Sequence, residues 1–434
     1  MEERKIKDFS KDEYDEFISL FSVSNGWHLI RKMLSTVGSD FLDDGERVAF
    51  IAMNLAKQEE LDSQNQRRLI YAALFHDIGR IWESSSDQHD SFDFNSKYER
   101  ALSSYLFLKY FSPLKEYSEI VLFQHGREDR KQKNAYYPLG VTLHLCEDVD
   151  ELNKDGRKKD EIIEYIRGYA GTLYNAKDVE AMAVLLNESN VLSQLHTSSC
   201  HEAVDDFLSS LYFRRDVIRR YLYMVTYCIE FYNKETMYHA RISAFVCYAL
   251  GRYLDFSLHD LCVTYTAGLF GDIGKVMIPH SILEKPGKLS EEEEKTMRKH
   301  IDYTKTILEG CFKDREVIDV AYAHHERLDG SGYPCHKKGN ELNRKQRVAA
   351  IADVTAALLS SRTYKEAYPL DKTIDELKKM KDEGKLDGEI VDVLIANKDE
   401  IIAYLKRHLN KMMRSLAELN AEKIRLKYAN IWEK

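Results

Sequence analysis

Apolar residues recur three and four positions apart along most of the chain, the spacing that lines one face of an α-helix. Phe17, Leu20 and Phe21 show it, as do Leu29, Met33 and Leu34. Val48, Ile51, Ala52 and Leu55 predict a helix over Glu46–Lys57, and Leu69–Leu74 predicts another. The Ser/Asp-rich stretch 82–97 reads as loop. Helices resume near Tyr98–Phe111 and Leu114–His125, and an apolar segment follows at Leu139–Leu145. Lys159–Asn187 and Ala203–Asn233 are helical zones. From residue 235 the pattern restarts, with Ile242–Leu254, Leu261–Phe270 and Arg347–Ser360 as apolar helices. Ser290 followed by Glu291–Glu294 is a helix start, with acids well placed against the macrodipole. Ile401–Lys434 is an amphipathic tail, read as a packed or pairing helix because acids interrupt its basic face.

The restart is a repeat. Asp44 maps onto His239, Asp77 onto Asp272, Arg80 onto Lys275, His125 onto His325 and Asp148 onto Asp353. Asn175–Val179 maps onto Asp387–Val391. The spacing between matched residues grows along the chain, as it does when loops lengthen in a second copy. The expected architecture is all-α: two tandem helical domains over 1–200 and 201–434, with the junction between Leu192 and Phe213.

Composition narrows the class. Hydrophobic residues are 44%, charged residues 31%, and only 6 of 434 residues are proline, which suits a helical protein with substantial cores. The net charge of −9 argues against general nucleic-acid binding. A substrate phosphate must then be met by local cations. The 7 cysteines form no CxxC pair and sit mostly among apolar residues, as reduced core thiols do. No apolar run approaches the roughly 18 residues of a membrane span, and the charged opening lacks a signal core. A cytoplasmic protein is expected.

The chemistry concentrates in His324-His325-Glu326-Arg327-Leu328-Asp329-Gly330-Ser331-Gly332-Tyr333-Pro334. Adjacent imidazoles opening a Gly-Ser-Gly turn make sense if a ring holds metal and the turn brings backbone N–H groups to an anion. Around it stand Glu235 and His239, four apart on one helical face, then Gly271-Asp272-Ile273-Gly274-Lys275, His300, Asp353 and Ser361–Ala367. With these residues the second copy, from about 235 to 400, resembles the HD-GYP family of HD phosphohydrolases, which hydrolyse cyclic dinucleotides. The first copy looks like a degenerate HD domain of the same lineage. It lacks the HHE–GYP signature and the KPG loop of Ile282–Leu289.

The resemblance implies an all-α fold holding two or three divalent metals, usually iron or manganese. It implies ligands at Glu235, His239, Asp272, His300, His324, His325 and Asp353, with Asp272 bridging near the attacking water. Lys275 would sit on a phosphate. Arg362 and Lys365 would hold the other phosphate or a purine. Gly332 and Tyr333, within the Gly330–Pro334 turn, would shape the mouth of the site. Gly271 stands where the family has the histidine of its HD pair, so one metal position loses a nitrogen donor. The first copy keeps His76, Asp77, His125 and Asp148 but has Asp44 for the first histidine, Tyr98 near the His300 position and Gln124 for His324. Its expected role is structural or regulatory. The implied function is phosphodiester hydrolysis of cyclic di-GMP or 3'3'-cyclic GMP-AMP to a linear product. Rival readings are a receptor that binds without cutting, and a mononucleotide phosphohydrolase run by His76 and Asp77. The reading leaves a homodimer open.

Overall fold

A computed structural model describes residues 6–21, 31–35, 39–82, 94–130, 133–209, 215–232, 238–283, 285–360 and 369–429. Among these residues the regular elements are helices, and extended pairing is limited to isolated bridges such as Phe21 with Phe312. The all-α class follows from the sequence pattern.

The chain forms two compact units. One is Met1–Val37 with Arg214–Arg414, and the other is Gly38–Phe213 with Ser415–Lys434. This differs from contiguous halves meeting at residue 200, and the reason lies in aromatic packing. The ring of Phe9 stacks on Tyr248 at 4.5 Å, and Phe17 meets Tyr265 edge-on at 5.8 Å. The Tyr248 hydroxyl donates to Glu13 at 3.0 Å. The first helix, Lys11–Ser19, therefore completes the core of the second copy rather than the first.

In that unit the His239–Tyr253 helix is buried on every side from His239 to Gly251. It packs against Leu258–Phe270 and Arg344–Leu359. A helix buried all round has no solvent face to offer, so it becomes the centre of the unit. Side chains start the surrounding helices. Ser257 caps Leu258–Phe270, and Asn343 with Gln346 forms a capping box on Arg344–Leu359. The sequence-predicted start at Ser290 is a capping box closed by Glu293.

In the other unit Ser39–Gln58 packs on Ser63–Leu74 and Tyr137–Lys154. Gly45 permits the first contact, because a Cβ there would lie 2.1 Å from the Leu74 carbonyl oxygen. The end of the Lys398–Ala429 helix is pinned here by Glu422, which accepts from Lys109 and Tyr110 at 2.7 Å and Tyr105 at 2.8 Å. Burial alone would raise the Glu422 pKa, but these donors bring it down to about 2. The expected tail helix is thus a packed one. The repeat is visible in its caps: Asn175 starts the Ala176–Glu188 helix and Asp387 starts Gly388–Ala396.

Candidate metal centre

Helix ends deliver most of the donors. His239 and His300 each open a helix, Asp272 follows the end of Leu258–Phe270, and His324 and His325 follow the end of Arg315–Tyr322. Asp353 comes from within the buried Arg344–Leu359 helix. Thr304 locks two of these ends together. Its hydroxyl donates to the Gly271 carbonyl at 2.9 Å and accepts from the Gly274 N–H at 2.9 Å. Gly274 is required by this close approach, since a Cβ there would lie 2.0 Å from the His300 carbonyl oxygen. Sequence reasoning gave Thr304 no role.

The side chains converge into two donor groups that share Asp272. One is Asp272, His300, His324 and His325; the other is His239, Asp272 and Asp353, with donor atoms within 4.8 Å of one another in each. His300 Nε2 and His324 Nε2 lie 3.4 and 3.6 Å from Asp272 Oδ1. His239 Nε2 lies 3.3 Å from Asp272 Oδ2 and 3.2 Å from Asp353 Oδ1. His325 Nδ1 is 3.1 Å from Asp353 Oδ2. Lys275 donates to Asp272 Oδ2 at 2.8 Å.

Three buried polar atoms here, Asp272 Oδ1, His300 Nε2 and His324 Nε2, have no hydrogen-bond partner. Leaving such atoms unsatisfied is costly unless something fills the space between them. The rings are already oriented for a cation. Nδ1 of His300 faces the Met297 carbonyl at 2.6 Å, and Nδ1 of His324 faces the Ala321 carbonyl at 2.6 Å. With Nδ1 donating, each Nε2 presents a lone pair inward. These donors fit a pair of divalent metals.

The electrostatics agree. Burial alone would raise the Asp272 pKa, but Lys275 and the imidazoles of His324, His239 and His300 hold it well below the carboxylate range. Asp353 is likewise held low against burial, by His325 and His239. Burial lowers His300 to about 3 against the pull of Asp272. Burial, then His324, lowers His325 to about 4. Burial alone would lower His324, but Asp272 and Asp353 raise it. The anionic oxygens and the neutral nitrogens of His300 and His325 are in the protonation states that metal ligands need.

The HHE turn is built by its own acids. Buried Glu326 accepts from the Cys335 N–H at 2.7 Å and the Lys337 N–H at 3.0 Å. Asp329 Oδ1 accepts from the Ser331 N–H at 2.9 Å and its hydroxyl at 2.7 Å. Gly332 lies flat on this segment, where a Cβ would be 2.4 Å from the Arg327 nitrogen. The Tyr333 ring sits 4.7 Å from the His325 ring, with the Arg298 guanidinium 4.8 Å from its centroid. Arg327 donates to the carbonyls of His324 and Glu326 and lies 3.7 Å from Asp353 Oδ2. Sequence reasoning gave Arg298 and Arg327 no role. Lone arginines in charged stretches carry no signal there.

Glu235, Arg362 and Lys365 lie outside the described residues. Gly271 caps the Leu258–Phe270 helix with right-handed helical dihedrals, so no positive φ calls for glycine there. A Cβ there would point at the His324 ring, 3.3 Å from Nδ1. A side chain at 271 therefore faces the cluster, as the missing histidine would.

In the first copy the retained residues do not form such a cluster among the described residues. The register also corrects one assignment. Gly79 donates to Ser104 as Gly274 does to Thr304, both at 2.9 Å. A Cβ on Gly79 would meet the Arg100 carbonyl, as one on Gly274 would meet that of His300. Arg100, not Tyr98, therefore stands in the place of His300. A loop of a different length hid this register from the sequence.

Comparison with known proteins agrees with the repeat. Family models described as HD domain match residues 46–167 and 228–390. The 3'3'-cGAMP-specific phosphodiesterase 1 of Vibrio cholerae is 25% identical over 86% of this chain and 90% of its own length. Phosphodiesterase 2 of that specificity and organism is 33% identical over 44% of this chain and 36% of its own. A cyclic di-GMP phosphodiesterase response regulator of Xanthomonas campestris is 37% identical over 34% and 39%. The crystal structure of a cyclic GMP-AMP specific phosphodiesterase from V. cholerae superposes with a TM-score of 0.51. It covers 86% of this chain and 97% of its own at 19% identity, a likeness of fold.

Proposed function

We infer, for a chain that belongs to the HD-domain proteins and carries the HD-GYP signature in its second copy, a metal-dependent phosphodiesterase that hydrolyses a cyclic dinucleotide. The observation that carries this reading is the pair of buried donor groups meeting at Asp272. His300, His324, His325 and Asp272 would hold one cation; His239, Asp353 and Asp272 would hold the other. Divalent metal bound there would polarise the phosphodiester and lower the barrier to attack by water. Imidazole with carboxylate favours iron, manganese or zinc over magnesium, and the family resemblance favours iron or manganese among these.

The chain's own groups do the rest. Lys275 steadies Asp272 and offers an ammonium for a phosphate oxygen. Tyr333, braced between Arg298 and His325, forms one lip of the site. The resemblance places the nitrogen missing at Gly271 with His239, Asp272 and Asp353, which leaves the four-residue group its full set of donors. That supports hydrolysis rather than a receptor that only binds. The relative that matches nearly the whole chain bears a 3'3'-cGAMP-specific name, whereas the relatives named for cyclic di-GMP match about a third of it. This favours 3'3'-cyclic GMP-AMP as the substrate, with a linear dinucleotide as product.

The test is to load the protein with manganese, supply each dinucleotide separately, and separate the products by chromatography. Linear product from cyclic GMP-AMP, abolished by Asp272→Ala, is expected. No product from either compound, or product undiminished by Asp272→Ala, overturns the reading.

A further inference from the structure

The first copy presents an electrostatic question. Its ligand-equivalent residues include the buried Asp77 and the partly buried Asp44 and Asp148, yet no donor group forms among the described residues. Something else must balance Asp44, Asp77 and Asp148.

Side-chain cations do so. Asp77 Oδ2, the counterpart of the shared Asp272, has Arg80 and Arg100 at 3.8 Å each. Arg80 also reaches Asp44 Oδ2 at 2.9 Å. Asp44, which replaces the first histidine, is further paired with Arg47 and with Lys154 at 2.8 Å. Lys97 lies 3.8 Å from Asp148 and 2.7 Å from Glu151. Tyr174 and His144 complete the surroundings of Asp148. In the second copy His300 points a neutral nitrogen at Asp272. In the first, Arg100 starts from the same place in the fold and brings a permanent positive charge.

We propose that the first copy is a metal-free counterpart of the catalytic centre, in which Arg100, Arg80 and Lys97 take the place of the divalent cations. A dication entering this space would meet three fixed positive charges within a few ångströms, at low local dielectric. It would also find two fewer nitrogen donors than in the second copy, because Arg100 stands in the place of His300 and Gln124 occupies the position of His324 and offers only an amide. Gln124 is fully buried and neither its amide oxygen nor its nitrogen has a partner, so the space that a ligand histidine would use persists. This unit therefore folds without metal and hydrolyses nothing, and metal loading belongs to the second copy alone.

The experiment counts metal in the full chain. With both donor groups of the second copy disabled by Asp272→Ala, His324→Ala and Asp353→Ala, the manganese-saturated and dialysed protein should carry almost none by elemental analysis. Metal retained at about one per chain in that background overturns the proposal. Converting Arg100→His with Gln124→His in the same background sets two further imidazoles beside Asp77 and His125 and removes one of the fixed charges. That variant should recover about one bound manganese. Circular dichroism confirms that the variant folds, and a folded variant that binds none also overturns the proposal. Hydrogen exchange adds a separate readout. In the parent chain, peptides from residues 69–82 and 94–111 should exchange at the same rate with and without manganese. In the converted chain they should slow when manganese is added.

Discussion

At Gly271 one absent side chain changes the donor count without disturbing the backbone. A methyl group there would lie 2.9 Å from the Ala267 carbonyl oxygen and 3.3 Å from His324 Nδ1. Gly271→Ala should therefore cost about 1–2 kcal/mol by thermal melting, since the crowding gains nothing in return. Gly271→His meets the same crowding but adds a nitrogen to the His239, Asp272 and Asp353 group. Titration calorimetry should show tighter binding of the second manganese in the Gly271→His variant than in the parent. Glu59 belongs to the other unit, Gly38–Phe213. Burial, then the Asp178 carboxylate, raises its pKa to about 7. The folded chain then keeps a proton that the unfolded chain releases near 4.5, so stability from this group is full below that value. It declines as pH rises toward 7 and stays lost above. Glu59→Gln should raise the melting temperature at pH 8 by about 2–4 °C and leave it nearly unchanged at pH 4.

Among the elements, the HHE turn shows how acids of a signature can serve architecture. Glu326 holds two N–H groups of the segment that follows the glycines, and Asp329 holds the turn itself. Glu326→Ala leaves the N–H groups of Cys335 and Lys337 without their acceptor and removes a buried carboxylate. A loss of about 2–4 kcal/mol in denaturant unfolding is expected. Because Tyr333 lies between these anchors and His325, KM should rise more than kcat falls. The sequence reading treated the turn as a device for presenting N–H groups to an anion. The structure shows Asp329 taking the Ser331 N–H itself, and spacing alone could not reveal this because any nearby acceptor could have claimed it.

For the molecule as a whole, the two units carry the same fold with opposite means of balancing charge. Chelation should lower the stability of Arg214–Arg414, by about 3 kcal/mol where free metal had stood at a hundred times its dissociation constant. The Gly38–Phe213 unit should keep its stability, because its cations are covalent parts of the chain. Hydrogen exchange resolved by peptide, with and without chelator, measures both. The seven cysteines are all free thiols, six of them buried and Cys335 exposed, so no disulfide contributes to either unit. Among the described residues no helix is long and apolar enough to cross a membrane.

Local and periodic properties were decided along the chain itself. Helical spacing pointed to a mainly helical chain, the recurring His, Asp and Lys positions exposed the repeat, and the resemblance to a known signature implied the all-α class and nominated His239, Asp272, His300, His324, His325 and Asp353. These depend on neighbours a few positions apart or on chemistry intrinsic to a side chain. Tertiary structure decided the rest. It assigned the Lys11–Ser19 helix to the distant second copy, because aromatic partners far along the chain bury its face. It gave Thr304, Glu326 and Arg327 their positioning contacts. It also put Arg100 where the second copy has His300, because loop lengths shift the register while close packing at Gly79 and Gly274 keeps the two helices in the same place.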